Sequence, residues 1–167
     1  MTKVIKQNTD GSKETYEGVS SSSGPSEAGE FPVLDSSGKI DSSLLPNGIG
    51  TDAVSAEAAE TLAAGDFVYF NATGQLLKAD ASEIAKQARG FVPEGITSGQ
   101  TGNVFFDDTN ASVTGLTPGA TYYLSDSTPG AIDTVAPTTT GSIVQRVGFA
   151  STAATLHVDI EEPVKLS

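Results

Sequence analysis

Short runs of apolar and β-branched residues, each closed by Gly, Pro, Asn or Asp, recur along residues 53–162. In the clearest run, Leu156–Ile160, apolar residues alternate with His157 and Asp159, which is the pattern of a half-buried antiparallel strand. The runs lie near residues 54–58, 66–71, 75–79, 87–92, 103–107, 121–125, 131–135, 142–149 and 154–161. This regular spacing of strands and turns predicts an all-β domain, either an antiparallel β-barrel or a sandwich.

The segment SAEAAETLAA (55–64) is the one helical candidate in this region. It is rich in helix formers, but it has no N-cap pattern and ends at Ala64-Gly65. Both a helix and a strand followed by a turn are compatible with it.

The β-domain also resembles itself, because three segments of its first half align with three segments of its second half. The offset grows from 54 to 56 to 58 residues across the intervening turns, where insertions are tolerated. The pairs are Leu62–Phe70 with Leu116–Leu124, Thr73–Leu76 with Pro129–Ile132, and Gln87–Phe91 with Gln145–Phe149. We expect a domain built from two similar halves; the alternative is chance similarity in a chain rich in Gly and Thr.

The alignment assigns faces to the strands. The predicted core comprises Val68, Phe70, Tyr122, Leu124, Ile143, Val147, Leu156, Val158 and Ile160. Tyr69 and Tyr123 then point away from these residues, toward a partner or the solvent. Paired outward tyrosines suggest an oligomer interface, and strand propensity on an exposed face would explain them equally well.

Residues 1–52 are predicted to form an extended arm or linker, followed by the β-domain at 53–167. The stretch SSSSGPSEAGEFP (20–32) is rich in Ser, Gly and Pro and has no apolar periodicity. Apolar residues between turn formers follow it: Phe31, Val33, Leu34, Ile40, Leu44, Leu45 and Ile49. They are too few to enclose a core, so the segment is either a flexible linker or an arm that docks on partner subunits.

Charge and composition exclude several classes of binding partner and site. Nine basic and 21 acidic residues give a net charge of −12, which repels nucleic acid and anionic membranes. Cysteine is absent, so disulfides and thiolate metal sites are excluded. No run of 18 apolar residues and no signal-peptide h-region occur, so we expect a soluble protein made without export and without a membrane partner.

The sequence contains few candidate catalytic residues. The single histidine, His157, lies on the polar face of a strand, and no nucleophile, P-loop or metalloprotease motif accompanies it. The pair Asp107-Asp108 after an apolar strand suits a turn better than a Ca²⁺ site. A pair of carboxylates in a cleft, as in a glycosidase, is not excluded by the sequence. We expect no enzymatic activity, no catalytic residue, no bound metal and no cofactor.

The segment GLTPGATYYLSDSTPGAIDTVAPTTTGSIVQRVGFASTAATLHVDI (115–160) resembles the β-domain of tailed-bacteriophage virion structural proteins. The resemblance lies in an LTPG-x-x-YYL strand, a TPG turn, a VQRVG strand and a closing L-x-V-D-I strand. The segment VLDSSGKIDSSLLP (33–46) is similar to a linker of phage fibre and head proteins. Capsid decoration (cement) proteins, head fibres and some tail-fibre modules belong to this class.

The resemblance implies a homotrimer without enzymatic activity, and it supplies no site residues. A chain of one arm and one small domain, without shaft repeats, favours a decoration protein over a fibre. We therefore expect a protein made in the host cytoplasm that binds the major capsid protein on the outer surface of the virion. Its expected role is to stabilise the shell against the pressure of packaged DNA. The alternative is a head-fibre or tail-fibre adhesin that binds host-surface glycans.

Overall fold

A computed structural model describes residues 3–7, 9–21, 31–34, 36, 38–41, 44 and 52–167. The chain divides into two compact units, residues 1–50 and 51–167. Every strand pairing within the named sheets is antiparallel, and the described residues contain no α-helix. The all-β prediction is therefore confirmed.

The first unit contains a β-hairpin that the sequence pattern does not predict within the expected arm. Strands β1 (Lys3–Gln7) and β2 (Lys13–Glu17) pair along their whole length. The turn is fixed by Gly11, whose φ of 84° suits glycine, and by the Asp10 carboxylate, which accepts hydrogen bonds from the Ser12 backbone and hydroxyl. The pattern gives no sign of the hairpin because its strands are mostly polar and show no apolar face.

The second unit is built from twelve strands, most of them short. They are β3 (Ala53–Glu57), β4 (Phe67–Phe70), β5 (Leu76–Lys78), β6 (Gly90–Phe91), β7 (Thr101–Phe105), β8 (Asp108–Asn110), β9 (Thr121–Leu124), β10 (Ile132–Asp133), β11 (Ile143–Val144), β12 (Arg146–Thr152), β13 (Thr155–Val158) and β14 (Val164–Lys165). A short 3₁₀ turn at Ile84–Lys86 precedes β6. Strand β3 shows that the 55–64 segment begins as a strand, not a helix.

Two five-stranded sheets dominate this unit. The N-sheet has the order β3-β7-β6-β4-β5, the C-sheet has the order β10-β9-β12-β13-β8, and β11 pairs separately with β14. Neither five-stranded sheet closes into a barrel. In the N-sheet a single bridge between Ala58 and Leu76 joins the end of β3 to β5 without forming a ladder.

The two sheets have the same strand order when their strands are numbered along the chain. In each sheet the first strand pairs with the fifth, the fifth with the fourth, the fourth with the second and the second with the third. Their registers also correspond, and for the second, third and fourth strands they do so at the alignment offsets of 54, 56 and 58 residues. One row of cross-strand neighbours in the N-sheet is Ala53, Phe105, Phe91 and Phe67, and the corresponding row in the C-sheet is Thr109, His157, Phe149 and Thr121.

A close backbone approach occurs at the same place in both sheets. A Cβ atom on Gly90 would lie 2.6 Å from the backbone oxygen of Phe105, and one on Gly148 would lie 2.1 Å from that of His157. Real Cβ atoms essentially never come this close to backbone, so both positions require glycine.

Buried apolar residues form two clusters. The first cluster, the shared core, takes side chains from both sheets: Phe67, Ala79, Ala81, Ala88, Phe91, Leu116, Tyr122, Leu124, Ile143, Val147, Ala150, Leu156 and Val158. The second cluster covers the opposite face of the N-sheet: Ala58, Leu62, Val68, Leu76, Val92, Ile96 and Val104. The sheets are thus packed face to face through the shared core, and strand β4 of the N-sheet is buried on both faces.

The predicted core is confirmed for seven of its nine residues, which are buried. The other two, Phe70 and Ile160, are partly buried and pack against the clusters. The structure adds Phe67 and Phe91, which are almost completely buried between the sheets.

Candidate functional site

The one histidine contacts an aromatic ring instead of a reacting group. His157 is exposed, and its ring stacks on Phe149 with the ring centroids 5.1 Å apart and the planes at 15°.

In the described part of the chain, no group of three or more His, Asp or Glu side chains is arranged to hold a metal ion. Among those same residues, no helix is long and apolar enough to cross a membrane.

Of the acidic pair after β7, Asp108 has a structural role. Asp108 opens strand β8, opposite Val158, and its carboxylate accepts the backbone N–H of Thr109 at 2.6 Å. Asp107 is exposed. The sequence predicted a turn at this pair. In the structure, Asp108 instead begins the short edge strand β8 of the C-sheet.

A buried amide joins the two sheets. The side-chain oxygen of Gln145 accepts the backbone N–H of Ala88 at 2.8 Å, and its nitrogen donates to the carbonyl oxygens of Ala88 at 3.0 Å and Glu161 at 3.1 Å. Gln145 is almost completely buried. Because all its contacts are to backbone groups, this side chain fixes the N-sheet against the C-sheet and the C-terminal segment.

The two tyrosines of the predicted interface occupy corresponding positions with different surroundings. Tyr69 is half-buried and packs against the shared core, because the C-sheet covers its side of the N-sheet. Tyr123 is half-buried on the opposite side of β9 from the buried residues Tyr122 and Leu124. Only Tyr123 thus lies on a sheet face that the shared core does not fill.

We call that face of the C-sheet the outer face. Its central residues come from four neighbouring strands: Thr109, Thr121, Tyr123, Phe149 and His157. Phe149 is 42% exposed, whereas Phe91, at the corresponding position of the N-sheet, is 1% exposed. An exposed phenylalanine in the middle of a sheet is a candidate contact residue.

A paired cation borders the outer face. Arg146 lies opposite Tyr123, and its guanidinium donates to Glu161 at 2.6 Å and to Asp159 at 2.7 Å. The hydrogen bonds to Glu161 and then Asp159 raise the pKa of Arg146 above its usual value. The charge of Arg146 is therefore matched within the chain.

An aromatic cleft lies at the end of strand β4. It has a volume of about 390 Å³ and is lined by Tyr69, Phe70, Ala85, Gln87, Arg89 and Phe106. The rings of Phe70 and Phe106 are 6.3 Å apart, and the Gln87 side-chain oxygen is buried without a hydrogen-bond donor among the described residues. Arg89 is half exposed and lies 3.9 Å from the exposed Glu162. The cleft combines aromatic surface with an accessible cation.

The predicted arm residues differ in their exposure. Leu34 and Ile40 are 59% and 52% exposed, and Phe31 is also exposed. Val33 is half-buried against Gly18, where a Cβ atom would meet a Val33 methyl group at 2.2 Å.

The remaining predicted arm residues lie near the end of this segment. Leu44 is half-buried in a turn in which its N–H donates to Asp41 at 3.1 Å. Leu45 and Ile49, which were also predicted to dock on a partner, lie outside the described residues.

Comparison with protein-family models and with curated protein sequences gives no match to this chain. Sequence reasoning missed Phe149, the Gln145 amide contacts and the aromatic cleft. The aligned Gly90-Phe91 and Gly148-Phe149 pairs were the one signal that could have drawn attention to Phe149.

Proposed function

We propose that this chain is a capsid decoration protein of a tailed bacteriophage, and that it binds the outer surface of the shell as a trimer. The resemblance of residues 115–160 to phage virion β-domains motivates the class of protein. Binding to another surface is supported by the exposed apolar side chains of the first unit, which lie between turn-forming residues: Phe31, Leu34 and Ile40. Such side chains gain free energy only when another surface covers them.

The first unit is suited to act as an arm that docks on the major capsid protein. Full burial of these three apolar side chains contributes several kcal/mol, at roughly 1.5–3 kcal/mol each. Ordering the backbone opposes this at about 1–2 kcal/mol per residue, so a single arm binds weakly. Three arms on one trimer bind with a high effective concentration, which offsets the ordering cost.

The second unit supports the same role as a rigid platform. We infer that its two five-stranded sheets are copies of one supersecondary unit, because their strand order and register correspond. A core shared by both sheets resists deformation, as a protein that reinforces a pressurised shell requires. The net charge of −12 is compatible with a position outside the packaged DNA.

The test is co-sedimentation with shells stripped of this protein. Replacing Phe31, Leu34 and Ile40 together by Ser should abolish most of the binding and leave the melting temperature unchanged, because the β-sheets of the second unit keep their cores. The matched control is Ile5→Ser, which removes an exposed apolar side chain from the hairpin and should bind as the wild type does. Full occupancy by the triple variant would contradict docking through the arm.

A second candidate function, an adhesin that binds host-surface glycans, is favoured by the aromatic cleft. Aromatic rings stack on the apolar faces of sugars, and Arg89 could pair with a sugar carboxylate. Copy number distinguishes the candidates. A decoration protein is present as about one trimer, or three chains, per threefold point of the shell, measured on a gel against the major capsid protein, and an adhesin is present in only a few copies.

A further inference from the structure

We propose that the outer face of the C-sheet is the surface through which this chain binds further copies of itself. The corresponding face of the N-sheet already packs against a sheet, namely the C-sheet. In the N-sheet this face carries Phe67, Tyr69 and Phe91, and all three contact the shared core formed with the C-sheet. The C-sheet carries Thr121, Tyr123 and Phe149 at the same positions of the register.

The two sheets are stacked in the same orientation. Residues on the inner face of the C-sheet, such as Tyr122 and Leu156, lie in the shared core. Their counterparts in the N-sheet, Val68 and Val104, lie in the second cluster, on the far side of that sheet. The inner face of the C-sheet therefore packs on the opposite face of the N-sheet. The outer face of the C-sheet is the uncovered end of this two-sheet stack.

The other end of the stack is closed by the chain itself. Nine residues, 92–100, connect β6 to β7 and fold over the N-sheet, where Leu62 and Ile96 exchange two backbone hydrogen bonds of 2.8 and 2.9 Å. In the C-sheet the connection between β12 and β13 is only Ala153-Ala154. The shorter connection leaves the inner face of the C-sheet open to the N-sheet.

Closure of that end determines how copies can meet. The loop 92–100 covers the middle of the N-sheet end, where Leu62 and Ile96 are buried, and leaves Val54 at its edge 42% exposed. This loop disfavours an endless head-to-tail stack, and contact between outer faces gives a closed assembly instead. The assembly is a dimer where the same patch meets itself, or a trimer where two different parts of the face meet around a threefold axis. The number of three copies rests on the proposed function; the choice of face does not.

The chemistry of the outer face suits a contact between like surfaces. Two chains with a net charge of −12 repel each other, and this repulsion is smallest where the centre of the contact carries no carboxylate. None of the five central residues of the outer face is charged. The carboxylates lie at its border: Asp133 on β10 is opposite Tyr123, and Asp159 and Glu161 pair with Arg146. Phe149 and Tyr123 keep an aromatic centre, whereas Thr121 and His157 replace the phenylalanines of the N-sheet. An aromatic centre with polar surroundings is the composition of an interface that forms between folded molecules.

The proposal is tested by measuring the mass of the full chain with light scattering over a range of concentrations. We expect the wild type to give three times 17.0 kDa and Phe149→Asp to give 17.0 kDa. The matched control, Val135→Asp, introduces the same charge at a 74% exposed position in a loop and should keep the wild-type mass. Thr121→Arg is a second outer-face variant, and it should also be monomeric. It replaces Phe149→Asp in the test if that variant fails to fold.

The outcomes separate this inference from the proposed function. A wild type that is monomeric at every concentration, or a folded Phe149→Asp that keeps the wild-type mass, overturns the inference. A wild-type mass of twice 17.0 kDa that falls to 17.0 kDa in Phe149→Asp supports the outer face and contradicts the trimer. An oligomer of the expected mass that fails to bind stripped shells supports the outer face and contradicts the capsid role.

Discussion

Truncating Phe91 should destabilise the second unit far more than truncating Phe149, although the two residues occupy corresponding positions. Phe91 is 1% exposed and packs near two further rings, with centroid distances of 5.7 Å to Phe105 and 6.3 Å to Phe67. Phe91→Ala removes this ring from between two sheets that cannot easily collapse onto the cavity. We expect a loss of about 3–5 kcal/mol in the free energy of unfolding.

The expected loss is large enough to measure directly. With a urea m-value of about 2 kcal/mol/M, it lowers the denaturation midpoint by about 1.5–2.5 M, monitored by far-UV circular dichroism of the full chain. This shift should not depend on protein concentration, because Phe91 packs against residues of its own chain.

Phe149→Ala is the matched comparison. In the monomer it should change the free energy of unfolding by no more than about 0.5 kcal/mol, as surface substitutions do. Any larger effect should grow with protein concentration, because it would come from weaker association between copies. Equal, concentration-independent losses for the two variants would refute the face-to-face packing through Phe91, and so would a loss below about 1 kcal/mol for Phe91→Ala.

Three further predictions concern single interactions. Gln145→Leu leaves the buried backbone N–H and C=O of Ala88 without partners, at a cost of about 1–3 kcal/mol for each group, measurable by urea unfolding. Gly148→Ala should prevent β12 from pairing with β13, so that circular dichroism shows reduced sheet structure; a variant that melts like the wild type would contradict the close approach. The hydrogen bonds from Ser12 lower the pKa of Asp10, so the hairpin turn is stabilised above the ordinary aspartate range and loses this stabilisation as the pH falls through the lowered pKa. The Ser12 amide signal should follow this titration by NMR, and Asp10→Asn should remove the pH dependence.

Most strands of the second unit could be predicted from the sequence because their signals are local. Alternating runs and turn glycines mark where a strand can start and end, and neither needs information about distant residues. The offsets of the aligned segments also match those between strands of equal rank in the two sheets, since pairing register is maintained within each sheet. The hairpin β1–β2 escaped detection because polar strands carry no such pattern.

Local pattern in the chain was enough to locate most strands of the second unit, whereas which faces are buried depended on how the sheets pack. Alternation identifies a core face only when the other face is solvated, and strand β4 is buried on both faces: Phe67 in the shared core and Val68 in the second cluster. Phe91 and Phe149 each follow a glycine that the backbone requires, yet one is buried and the other is exposed. The difference arises because the N-sheet packs on the C-sheet and nothing described in residues 52–167 packs on the outer face, which is a property of how the sheets stack.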